Sequence, residues 1–117
     1  MTVFQYKDTV YSFGLSELEE AIRQVNQDNG WSVLQNEEWE DKYKIPAILA
    51  LITSEVSEAL EAFRHNNIEN FKEECADIII RVLDMTKGIP GMDLEYEISK
   101  KLETNTKRGY RHGNKKC

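Results

Sequence analysis

In the stretch LITSEVSEALEAF, residues 51–63, two acids occupy positions where an amphipathic helix keeps its apolar side chains. At about 100° per residue, Ile48, Leu51, Ile52, Ala59 and Ala62 all fall within roughly 60° of Glu55, and Glu58 lies about 60° to one side. A carboxylate turned toward a core is costly unless something cationic meets it. Any fold of this chain therefore has to bring positive charge to that face.

Helix punctuation divides the rest of the chain. Ser16 with Glu19 forms a capping-box pattern opening a helix to about Asp28, where Asn29-Gly30 stops it. Asn36 to Lys44 reads as a further helical turn or two, and Pro46 suits the first turn of a helix running to about Arg64. Asn66 or Asn67 caps a third helix through Lys87, ended by Gly88 and Pro90, and Asp93 caps a fourth reaching about Arg108. The first fourteen residues are the sole candidate strand or extended arm. The expectation is an all-α, four-helix bundle-like protomer with a short N-terminal extended arm, a single domain over residues 1–117.

The third helix is apolar nearly all round. Phe71, Cys75, Ile78, Val82 and Met85 make one stripe, while Ile79, Ile80 and Leu83 cover other faces. Four helices of this length leave too little chain to wrap it. A second copy of the protein is expected to complete the fold by oligomerisation, with cover by the N-terminal arm as the alternative. No stretch approaches the roughly 20 apolar residues of a membrane span, and the N-terminus lacks a basic start followed by an apolar run, so a soluble, cytoplasmic protein is expected. Cys75 and Cys117 form neither a disulfide framework nor a CxxC metal spacing.

On the third helix, Glu74 and Asp77 repeat the spacing of Glu55 and Glu58. Acids three apart project side by side, so each pair is a two-carboxylate clip, and clips on neighbouring antiparallel helices converge. Four facing carboxylates repel, and a hard divalent cation is the usual relief. Spacing alone is weak, because Glu17 and Glu20 share it. The place of Glu55 and Glu58 on the apolar stripe is what lifts them; Glu74 lies at the edge of its own stripe and Asp77 farther out. Di-iron bundles use Glu-x-x-His on two helices, and here Ala62 precedes His65 by three and Gly109 precedes His112. With soft ligands also missing, the oxygen-only set points to Mg²⁺ or Mn²⁺.

The net charge of −6 argues against a surface for nucleic acid polymers, yet seven of the fifteen Lys and Arg residues fall in residues 99–117 against one Glu. Lys101, Asn105 and Arg108 lie within about 60° of one another and continue the line of Leu94 and Ile98. An ammonium, an amide and a guanidinium on one face suit a phosphate chain already partly neutralised by metal. The residues beyond Gly109 either close over such a ligand or extend into water. No Gly-rich phosphate loop or Walker lysine is present.

Together the Glu55-x-x-Glu58 pair, the Glu74-x-x-Asp77 pair and the ending Lys101-x-x-x-Asn105-x-x-Arg108 resemble the MazG-type branch of the all-α nucleoside triphosphate pyrophosphohydrolases. The resemblance runs from about Trp39 to Lys115. It implies Mg²⁺-dependent cleavage of nucleoside triphosphates, ribo or deoxy, between the α- and β-phosphates, giving monophosphate and pyrophosphate in nucleotide-pool house-cleaning. Carried over, Glu55, Glu58, Glu74 and Asp77 would be metal ligands, with Glu55 and Glu58 also catalytic. Lys101, Asn105 and Arg108 would hold phosphates, and homodimers or homotetramers would be expected. Where the family often has paired glutamates at the start of the first clip and a small residue before its second acid, this chain has Ser54 and Ser57. Water would then be activated by the cation or by one of the four acids acting as base.

Trp31 and Trp39, just before the metal helix, are candidates for stacking on the base, and each also suits a core or interface. The rival reading from another class is a non-catalytic helical oligomeric interaction protein, whose acids form structural salt bridges with the basic tail.

Overall fold

The computed structural model describes residues 3–12 and 14–108, with the side chains of 6–10 and 14–107. The chain is all-α and four-helix bundle-like. Helices α1 (Leu15–Asp28), α2 (Lys44–Arg64), α3 (Ile68–Lys87) and α4 (Leu94–Arg108) follow a two-stranded antiparallel hairpin, β1 (Val3–Tyr6) and β2 (Thr9–Ser12), and a 3₁₀ turn spans Asn36–Glu40. The expected arm is thus a hairpin, in register from Val3 opposite Ser12 to Tyr6 opposite Thr9, turning through Lys7 at φ 53°. Tyr6 Oη donates to Asp28 Oδ2 at 2.9 Å and Lys7 Nζ pairs with the same oxygen at 2.8 Å, tying the hairpin to the end of α1.

Two of the predicted caps are in place. Asn67 Oδ1 accepts from Asn70 N at 3.1 Å to open α3, and Asp93 Oδ1 accepts from Tyr96 N at 3.1 Å to open α4. The first helix differs. It begins at Leu15 behind Gly14, so Ser16 already lies inside the helix and no side chain caps its start. Glu19 is drawn instead into the interior, where Thr86 Oγ1 donates to its Oε2 at 2.8 Å across the α1–α3 contact. A partner on α3 outcompetes the local backbone for that carboxylate.

Helix α3 is the axis of the molecule: α2 packs along one side and α1 along another, while α4 touches α1, where Leu15 N donates to Glu95 Oε1 at 3.2 Å. Ala59 and Ala62 on α2, Leu83 on α3, Ala21 and Ile22 on α1, and Val33 and Leu34 of the connecting loop are buried. Small alanines let α2 and α3 approach closely over the very turns that carry the acids. The loop after α1 is fixed by Arg23, whose Nη2 donates to Leu34 O at 2.7 Å, and by Gly88, where a Cβ would stand 2.3 Å from that same carbonyl oxygen.

The expected stripe on α3 is only partly covered within one chain. Leu83 and Thr86 are buried, Thr86 against Glu19 of α1, whereas Ile79 is 53% exposed and Phe71 and Ile80 remain exposed as well. On α2 the face opposite the acids carries Leu49, Val56, Leu60 and Phe63, spaced seven, four and three apart and all exposed. No helix among the described residues is long and apolar enough to cross a membrane.

Candidate metal centre and its cleft

The α2–α3 contact brings three acids together. Glu55, Glu58 and Glu74 each place a carboxylate oxygen within 4.8 Å of the others. Helical spacing sets Glu55 and Glu58 side by side on α2, and the antiparallel return through residues 65–67 lays Glu74 across from both. The order of burial differs from that expected: Glu74, placed at a stripe edge by its sequence, is the deepest at 9% exposure, Glu55 is half-buried and Glu58 is exposed. Asp77, one turn beyond Glu74, does not join this trio. It is exposed and faces the adjoining cleft, which Glu55 also lines.

The cation demanded by Glu55 comes from α3. Arg81 Nε donates to Glu55 Oε1 at 3.0 Å. Glu74 is left with less: its Oε2 is sealed from solvent and receives no hydrogen bond from any N–H or O–H among the described residues. Hydrogen bonding to Glu55, loss of water and the charge of Glu58 push the Glu74 carboxyl up to about 7, so it keeps a proton, shared with Glu55, well above the pH at which carboxylates ordinarily ionise. That shared proton, the leading cause, together with Arg81 holds the Glu55 carboxyl below its usual range against the opposing effect of burial. One proton and one guanidinium thus offset at most two of the three acids' charges.

This donor set suits a hard divalent ion. It is all oxygen, three carboxylates can close on one centre, and the sealed Glu74 oxygen is a lone-pair donor with no acceptable protein partner. Mg²⁺ or Mn²⁺ fits the residues present.

Beside the trio opens a cleft of about 520 Å³ lined by Asn26, Trp31, Ser32, Glu55, Asp77, Ile80, Arg81 and Asp84. Asp84 Oδ1 is also sealed without a partner there. Trp31, one of the two candidate stacking residues, stands on the cleft wall; Trp39 is exposed on the 3₁₀ turn and is not part of that lining. On the other side of the trio a shallower hollow of about 290 Å³ is lined by Glu58, Glu61, His65, Asn67, Asn70 and Glu74.

The basic face stands apart in the single chain. Lys101 and Asn105 are exposed on α4, and neither makes an ion pair or hydrogen bond with the acids among the described residues. The Arg108 side chain and the residues beyond Gly109 lie outside the described ones.

Arg81, Asp84 and Asn26 are site residues that the sequence reading did not select. Arg81 had a signal: it follows Glu74 by seven, two turns along on the same face of α3. Asp84 follows Arg81 by three and had the same signal more faintly. For Asn26 the sequence offered nothing beyond a polar residue within the α1 pattern. Comparisons with family models, with curated proteins and with solved structures gave no match.

Proposed function

We propose that this chain is a Mg²⁺-dependent nucleoside triphosphate pyrophosphohydrolase that converts ribo- or deoxyribonucleoside triphosphate to the monophosphate and pyrophosphate, serving nucleotide-pool house-cleaning. The observation that carries the reading is the sealed, unpartnered Glu74 oxygen inside a trio with Glu55 and Glu58. A structural salt-bridge role accounts for Glu55, which has Arg81, but leaves Glu74 holding a proton against two other acids. Two further supports are the open cleft with an aromatic wall beside the acids and the resemblance of the two acid clips and the α4 ending to MazG-type enzymes.

Attack of water on the α-phosphorus needs an aligned nucleophile, neutralised phosphoryl oxygens and a stabilised pyrophosphate leaving group. Mg²⁺, or Mn²⁺ in its place, would be held by Glu55, Glu58 and Glu74, with Asp77 closing from the cleft, and would supply charge neutralisation and a more acidic water. Glu58, the exposed member, and Glu55 are the groups in this reading that take the proton from the attacking water. Arg81, already poised on Glu55, turns to phosphate oxygens once the acids are engaged. Lys101, Asn105 and Arg108 hold the polyphosphate after α4 is carried to a cleft by assembly. A homodimer or homotetramer built on the exposed apolar faces of α2 and α3 provides that assembly and covers Val56, Leu60, Phe63 and Ile79.

The test is a panel of ribo- and deoxyribonucleoside triphosphates incubated with the purified chain and Mg²⁺, assaying pyrophosphate and orthophosphate separately. The reading requires pyrophosphate from at least one nucleotide, abolished in Glu58→Gln. Orthophosphate alone, or no product from any nucleotide, sinks it.

A further inference from the structure

Three carboxylates line the cleft beside the trio, and Asp84 has an oxygen that meets neither a cation nor water. Glu55 has Arg81 and Asp77 is exposed, whereas Asp84 makes no ion pair or hydrogen bond among the described residues and its Oδ1 is sealed from solvent. An anionic oxygen in that state forgoes a charge-assisted hydrogen bond, and a fold rarely keeps one without a use for it.

Few donors can reach it. On the far side of Asp84 lies a cavity of about 260 Å³, where Lys44 is held by Glu38 Oε2 at 3.3 Å and by Ser32 Oγ at 3.4 Å. Arg23 also has a sealed Nε without a partner, but its Nη2 is engaged by Leu34 O and it borders neither the cleft nor that cavity. Arg81 borders both, as Asp84 does. It precedes Asp84 by three residues on α3, the spacing of helical side-chain pairs, and the backward tilt of helical side chains lays the Asp84 carboxylate over the turn of Arg81. Arg81 is engaged the other way. Its Nε donates to Glu55 Oε1, neither Nη makes a hydrogen bond among the described residues, and the side chain is 41% exposed, so the guanidinium has free donors and room to turn.

We infer that Asp84 is the positioning residue for Arg81: once a divalent cation engages Glu55, the guanidinium passes to the bare Asp84 oxygen, which keeps it in the cleft with its remaining N–H groups turned toward phosphate. The inference rests on the proposed metal-dependent reading, in which Glu55 exchanges its guanidinium for the ion. A guanidinium left unpaired beside the ion would oppose binding by like charge. Asp84 offsets that charge one turn away, and the planar fork of arginine has donors enough to give one edge to a carboxylate and the other to a phosphate.

Side-chain ¹H–¹⁵N NMR of the full chain, titrated with Mg²⁺ alone, tests the transfer, the Arg81 Nε–H signal being assigned by its loss in Arg81→Lys. In the wild type that signal should shift as the ion saturates and stay slow to exchange with water. In Asp84→Ala it should be equally slow in EDTA, where Glu55 still holds it, and should exchange about tenfold faster once Mg²⁺ is bound, the loss of one charge-assisted hydrogen bond. Asp84→Glu should restore the slow exchange. The melting temperature of Asp84→Ala in EDTA should not fall, because only an unpartnered oxygen is removed; a fall would assign Asp84 to a structural pair with Arg23 and overturn the inference. By calorimetry, Asp84→Ala should weaken Mg²⁺ binding about fivefold alone and less than about twofold in an Arg81→Ala background, since a charge acting only through space counts equally in both. An Arg81 signal unmoved by Mg²⁺, equal exchange in wild type and Asp84→Ala at saturation, or equal weakening in both backgrounds overturns the inference and leaves the metal centre standing. No Mg²⁺ binding by the wild type refutes both. Transfer observed without pyrophosphate release from any triphosphate refutes the reaction and keeps the role of Asp84.

Discussion

Binding of Mg²⁺ to the acids should expel the proton that now holds Glu74 and Glu55 together. With Glu74 pushed up to about 7, the metal-free protein carries about 0.9 proton there at pH 6, about 0.5 at pH 7 and about 0.1 at pH 8. A divalent ion takes ionised carboxylates, so those fractions are the protons released per ion bound. The same competition weakens apparent Mg²⁺ affinity about elevenfold at pH 6 and about twofold at pH 7 relative to alkaline solution. Titration calorimetry in buffers of different ionisation enthalpy reads the proton count as the slope of observed heat against buffer heat. Glu74→Gln should bind the ion more weakly and release no proton at any of these pH values. Zero release at pH 6 in the wild type, or release that persists in Glu74→Gln, would refute the shared-proton account of the trio.

Other consequences follow from the same geometry. In EDTA, the raised Glu74 contributes stability that is complete below its ordinary 4.5 and lost as pH rises through about 7, while the lowered Glu55 contributes above 4.5 and fades in acid. The metal-free melting temperature should therefore fall from pH 5 to pH 7.5 and Mg²⁺ should offset the fall; a rise over that range in EDTA contradicts the assignment. Glu55→Gln removes an ion pair whose arginine is 41% exposed, so thermal unfolding in EDTA should change by no more than about 1 kcal/mol while most of the Mg²⁺-induced stabilisation disappears. Gly88→Ala would drive a Cβ against the Leu34 carbonyl that Arg23 holds, and should cost about 1–3 kcal/mol by urea unfolding. Lys101→Ala should weaken nucleotide turnover with the Mg²⁺-induced melting shift intact; a lost shift would place Lys101 against the acids instead.

The helical frame was legible because punctuation was strong: Asn67 and Asp93 cap where the sequence puts them, and Pro46 sits in the first turn of α2. Register along α2 was legible for the same reason, since Ala59 and Ala62 face α3 with Glu55 between them and the helix start. Relative depth was not. Periodicity gives a direction around one helix and says nothing of how close its neighbour comes, so Glu74 emerged deeper than Glu55 and Asp77 stayed outside the trio. The source of the counter-charge was missed for a related reason. The tail concentrates the basic residues, yet among the described residues the cation that meets Glu55 is Arg81, carried beside it by the α2–α3 pairing. Glu19 misled as a cap because a distant hydroxyl, Thr86, competed for it, and sequence spacing cannot register a partner 67 residues away.

The central claim is that water attacks the α-phosphorus of a nucleoside triphosphate with the ion held by Glu55, Glu58 and Glu74. Turnover of a preferred nucleotide in ¹⁸O-water with Mg²⁺, followed by mass spectrometry of the products, locates the bond that forms. The account predicts one ¹⁸O in the nucleoside monophosphate and none in pyrophosphate, with both products lost in Glu58→Gln. Label in pyrophosphate or orthophosphate, or unlabelled products throughout, would contradict it.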